Sequence, residues 1–189
     1  MSTPAPPPRA DAARNRQRTL DATRALLADP DAVITVEVIA RRAGVSPATV
    51  VRSFGGKDAL VDAAASGLLA PLVRRAHDLL AGAGPEEALR AFLGELLVFQ
   101  AAHHTMNAQI EALKLPATEA QEAALRSALQ DMVTRAREAG VIRADLDPVA
   151  TMTLIGECTF AIAKSRANSP ELAANYLTVL MDGLRPPGR

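Results

Sequence analysis

Ile34-Thr35-Val36-Glu37-Val38-Ile39-Ala40-Arg41-Arg42-Ala43-Gly44-Val45-Ser46-Pro47-Ala48-Thr49-Val50-Val51-Arg52-Ser53-Phe54 reads as two short helices with a tight turn between them. Thr35 stands where a helix wants an N-cap, Val38, Ile39 and Ala43 are the inward positions, and Gly44 supplies the stop. Ser46-Pro47 then restarts a helix. Serine accepts from a free amide of the first turn, and proline at the first helical position sacrifices no hydrogen bond. Gly55-Gly56 ends this second helix after Phe54. Val50 and Phe54, four apart, share a face and are expected to join Val45, Ile39 and Ala40 in a small core. Pro47, Ala48, Val51 and Arg52 are then left pointing outward.

Two helices joined through Gly44-Val45-Ser46 follow the helix-turn-helix plan, in which the second helix enters the DNA major groove. An outward Val51 beside Ala48 makes little sense against water but suits thymine methyl groups, and Arg52 suits guanine or a phosphate. Thr49, Ser53 and Lys57, with Thr35, are short donors or cations placed for a phosphate backbone, contacts that set register and affinity without encoding sequence.

Outward from this stretch the chain reads as all-α. Strand-type alternation is nearly absent, aromatics are 3% of 189 residues, and alanine, leucine, arginine and glutamate run between proline or glycine breaks. Residues 1–12, with Pro4, Pro6, Pro7 and Pro8, are expected as a disordered arm. A helix from about Ala13 to Ala28 completes a head over 13–57, and a fourth helix runs from Lys57 to about Leu80. A helical body over 58–184 follows, with expected helices Pro85 to His103, Met106 to Lys114, Pro116 to Ala139, Pro148 to Arg166 and Pro170 to Leu184, then a tail over 185–189. The prolines open these helices, and Glu86, Glu119 and Glu171 suit the positive end of the helix dipole.

Composition bounds the function. Apolar residues are 49% and charged residues 22%, and no stretch approaches the roughly 18 uninterrupted apolar residues of a membrane helix. Met1 to Ala13 has no apolar core of a secretory signal, so a cytoplasmic protein without membrane association is expected. The formal net charge is zero, yet up to Lys57 nine Lys/Arg face five acids, so a basic head sits on an acidic body, as suits a head that alone meets a polyanion. A lone Cys158 forms no internal disulfide, and no Cys/His spacing suggests zinc, so neither metal nor cofactor is expected.

The quoted stretch, followed by Gly56-Lys57-Asp58-Ala59-Leu60, resembles the tetracycline-repressor family of bacterial regulators over about Arg16 to Ala63. Farther on, Ala139-Gly140-Val141-Ile142-Arg143 to Pro148 and Asp182-Gly183-Leu184 also look like features of the family's bodies. The resemblance implies a homodimer whose last two helices form a four-helix interface, a ligand cavity in each body, and two heads spaced to read a palindromic operator. With the reading of the residues it gives a DNA-binding set of Thr35, Ser46, Pro47, Ala48, Thr49, Val51, Arg52, Ser53 and Lys57. The chain departs from the family's usual tyrosine at Val51 and its frequent histidine at Ser53.

For the body, helix position alone nominates a small-molecule site of Phe92, Leu96, Phe99, His103, Met106, Ile110, Met132, Met152, Ile155, Thr159 and Phe160. His103-His104 near Glu111 is read against a metal centre, because adjacent helical residues project about 100° apart and no chelating spacing accompanies them. Within the apolar stretch Met152 to Ala163, Glu157 is read as facing solvent or the dimer seam, with recognition of a ligand as its functional alternative, and Cys158 as a small core residue. No Ser/His/Asp, Cys/His, paired-carboxylate or phosphate-loop pattern supports catalysis. The expected protein is therefore a repressor released by an effector, the rivals being an effector-independent regulator or activator and, remotely, an enzyme in the body.

Overall fold

The structure, a computed structural model, describes residues 8–110, 112–165 and 169–187. Within them are eight helices and no strand: α1 (Pro8–Leu27), α2 (Val36–Ala43), α3 (Pro47–Phe54), α4 (Lys57–Gly82), α5 (Pro85–Ile110), α6 (Pro116–Glu138), α7 (Pro148–Lys164) and α8 (Pro170–Leu184). The all-α expectation holds. None of these helices is long and apolar enough to cross a membrane.

The helix boundaries follow local chemistry. Thr35 caps α2 by accepting from the Val38 amide at 3.2 Å, and Gly44 closes it at φ 65°, where a side chain would be strained. Ser46, Asp147 and Ser169 each stand just before a proline and cap α3, α7 and α8 by accepting from the amide three residues on.

Three expectations change. α1 begins at Pro8 rather than Ala13, so 8–12 form its first turns instead of part of the arm. Proline is tolerated there because the first amides of a helix have no intrahelical partner. Residues 1–7 of the expected arm lie outside the described residues. Second, α5 runs unbroken to Ile110, where two helices were expected with a break after His103. His103-His104-Thr105-Met106 holds neither glycine nor proline, so nothing stops propagation. Third, Cys158, expected in the core, is exposed.

Residue contacts divide the chain into one unit of 1–68 with 105–119 and another of 69–104 with 120–189. The first unit holds two buried clusters. One joins Leu26, Ile39, Ala40, Val50 and Leu60, with Val45 and Phe54 packed against it; the other joins Leu27, Val61, Ala64, Ala65, Met106, Ile110 and Leu115. The second unit is built on a larger cluster that includes Leu89, Phe92, Leu93, Met132, Val133, Ile155 and Met181.

Candidate nucleic-acid interface

α3 is positioned by its inner face. Val50 is fully buried and Phe54 half-buried in the head cluster, with Val45, Ile39 and Ala40 around them, as the four-residue spacing requires. The opposite face is free: Pro47, Ala48, Val51, Arg52 and Ser53 are exposed, Val51 at 48%. Val51 is thus a β-branched apolar side chain left in water on a short helix capped at its start by Ser46.

The polar groups around this face are partly organised already. Ser46 Oγ, besides capping, lies 2.8 Å from Thr49 Oγ1, and Arg52 Nη2 donates to Thr49 Oγ1 at 3.3 Å. This hydroxyl pair and guanidinium form a short chain of donors along the edge of α3. Thr35 and Lys57, both half-buried, sit at the starts of α2 and α4; Lys57 Nζ is 3.6 Å from the Asp58 carboxylate, an exposed pair that a polyanion can displace. All nine residues of the expected DNA-binding set therefore lie in the first unit, on α3 or at the ends of the helices flanking it.

Sequence reading missed Arg16. From α1 its Nη1 donates to the Ser53 carbonyl at 2.8 Å, and its guanidinium carbon lies 4.2 Å from the centroid of the Phe54 ring. Nothing local in the sequence signals this, since the partners are 37 residues apart.

The nominated small-molecule set is divided. Phe92, Met132 and Ile155 are buried in the second unit's core, with Leu96, Phe99 and Met152 packed against it, while Met106 and Ile110 belong to a cluster of the first unit. His103 stacks on Phe99 with ring centroids 4.5 Å apart, and burial lowers its pKa, an effect the Phe99 carbonyl opposes more weakly. Thr159 is buried, donates to the Ile155 carbonyl and accepts from the Tyr176 hydroxyl at 2.8 Å; Phe160 is half-buried. A cavity of about 370 Å³ in the second unit is lined by other residues, Glu86, Ala139, Gly140, Val141, Arg185 and Pro186. Glu157 is exposed beside Cys158, in line with its expected outward position. Among the described residues no three His, Cys, Asp or Glu side chains gather as a metal site; Glu111 lies outside those residues.

Comparison with known proteins agrees with the geometry of the head. The family description "Bacterial regulatory proteins, tetR family" matches residues 20–64, and "Transcriptional regulator SbtR-like, C-terminal domain" matches residues 84–186. A TetR transcription regulatory protein of Mycobacterium vanbaalenii is 34% identical, with 95% of this chain and 99% of that one covered at a TM-score of 0.64. A TetR transcriptional regulator of Streptomyces coelicolor is 28% identical over 92% of this chain and 99% of its own, also at 0.64. The ketosteroid transcriptional regulator of Mycobacterium tuberculosis, 22% identical over 90% of this chain and 94% of its own with a TM-score of 0.70, shares the fold. No curated protein matches the chain. With a buried-and-exposed α3 of this kind and a family match over more than half its length, the chain belongs to the tetracycline-repressor (TetR) family of DNA-binding transcription regulators.

Proposed function

We propose that the protein is a repressor that binds a palindromic operator as a homodimer and is released by a small molecule held in the second unit. The observation that carries the DNA-reading half is the outward face of α3, where Ala48, Val51 and Arg52 stand exposed on a helix fixed from behind by Val50 and Phe54. Such a face offers apolar contacts for thymine methyls and one guanidinium for a guanine edge or phosphate, with Thr35, Ser46, Pro47, Thr49, Ser53 and Lys57 around it to set register.

Support for an effector comes from α5. Among the described residues, Gln100 Oε1, one turn before His103, is buried without a hydrogen-bond partner. Unpaired buried polar atoms are rare because each forfeits its hydration, and a ligand that pairs with them would recover that loss. Release then requires the ligand to bind the DNA-incompetent arrangement more tightly than the competent one.

Fluorescence anisotropy with duplexes selected by the protein from a random pool tests the reading. Arg52→Ala is expected to lose about 1–3 kcal/mol of discrimination at one base pair of each half-site. Lys57→Ala is expected to weaken binding to all sequences alike. An Arg52→Ala protein that ranks every operator variant as the parent does would remove α3 from its role as reader.

A further inference from the structure

We propose that Arg16 is a phosphate-binding residue of the DNA interface, an α1 side chain held at the end of α3 so that its charge meets the backbone flanking the site that α3 reads. The assignment rests on α3 being the reading helix.

Two contacts fix the guanidinium. Nη1 donates to the Ser53 carbonyl at 2.8 Å, and the guanidinium carbon lies over the Phe54 ring, 4.2 Å from its centroid. The Ser53 carbonyl is one of the last four of α3, which have no partner inside the helix; the Val51 carbonyl is taken by the Gly55 amide, and Arg16 takes this one. Phe54 is itself anchored in the head cluster, so the group that Arg16 stacks on does not wander. The side chain is thus ordered before DNA arrives, and little entropy remains to be lost on binding.

Its charge is uncommitted. Arg14 is paired with Asp11, Arg24 with Asp21 and Lys57 with Asp58, whereas among the described residues no carboxylate is in ion-pair contact with Arg16. A guanidinium carries five N–H donors in a planar fork, and the Ser53 carbonyl engages Nη1 alone. The residue is exposed, so the remaining donors are open to an oxyanion. Position supplies the rest of the argument. α3 has eight residues, so at about 1.5 Å per residue it is about 12 Å long, close to the roughly 12 Å width of the major groove. With the start of the helix against base edges, a cation at its other end lies at the groove rim, where the phosphates are.

The test is the salt dependence of binding to a parent-selected duplex and to an unrelated one. Arg16→Gln keeps an amide donor for the Ser53 carbonyl but removes the charge. It is expected to weaken both duplexes by a similar factor and to reduce the slope of log K against log salt by about 0.9 for each bound copy. Arg16→Lys, which keeps the charge and loses the planar stack, is expected to hold the parent's slope. The proposal is overturned if Arg16→Gln leaves the slope unchanged, or if Arg16→Lys falls with Arg16→Gln, because Arg16 then serves only to cap and brace α3. The reading of α3 fails separately, if Arg52→Ala ranks every operator variant as the parent does, which keeps the two failures distinguishable.

Discussion

His103 is half-buried on α5, stacked against Phe99, with its pKa pushed below the ordinary 6.5 chiefly by desolvation. A histidine depressed in this way binds its proton more readily in the unfolded chain. Protonation therefore favours unfolding: the contribution to stability is complete above the unfolded value of 6.5 and is lost as the pH falls below it through the lowered folded-state pKa. Urea unfolding of the parent is expected to weaken between pH 7 and pH 5 by more than that of His103→Phe, which keeps the ring stack and has nothing to titrate. Parallel curves for the two proteins would show that burial leaves the ring's proton affinity unchanged.

At the scale of the helix, the start of α6 departs most from what adjacent residues dictate. Leu115 precedes Pro116 and has no side-chain acceptor, so α6 lacks the local cap that α3, α7 and α8 possess. Asp62 of α4 supplies it: its buried carboxylate accepts from the Ala117 amide at 3.0 Å and from the Thr118 amide and hydroxyl, each at 2.8 Å. Asp62→Ala strands two amides of a first helical turn and is expected to cost about 3 kcal/mol, with Asp62→Asn, which keeps one acceptor oxygen, losing less. Equal urea midpoints for Asp62→Ala and the parent would rule out the cap. The same contrast explains what the sequence discloses. Thr35, Gly44, Ser46 and the helix-opening prolines act within four residues, so the helix-turn-helix and the faces of α3 can be read directly. Asp62 to Thr118 and Arg16 to Ser53 span 56 and 37 residues, and no periodicity encodes them. The run of α5 through His103-His104 was legible in principle, since those residues contain no breaker, but a pair of histidines looks like a boundary when the packing around it is unknown.

At the scale of the whole molecule, the proposed homodimer through the last two helices can be tested on the exposed faces of α7 and α8. The two helices pack on each other through Thr159 and Tyr176, yet each keeps a second face in water, with Leu154 at 61% exposure and Val179 at 72%. On α7 the exposed positions include Val149, Ala150, Thr153, Leu154, Glu157, Cys158 and Ala161; on α8 they include Glu171, Ala174, Asn175, Thr178, Val179 and Asp182. Both sets repeat at the four-residue spacing of one helical stripe and are rich in small or apolar side chains. In a single copy that stripe contributes nothing, whereas a second copy applied about a two-fold axis would cover it with itself. Substituting arginine at exposed positions of a monomer typically changes stability by less than about 0.5 kcal/mol. Leu154→Arg combined with Val179→Arg should therefore leave the fold of each copy intact while placing like charges across the seam, with a melting temperature lowered only by the lost association. Sedimentation is expected to move from dimer to monomer, and affinity for an inverted repeat to fall toward that for a single half-site, because linkage of two heads multiplies their separate affinities. A double variant that remains dimeric would place the seam elsewhere, and one that loses the dimer while keeping full affinity would show that each head reads DNA alone.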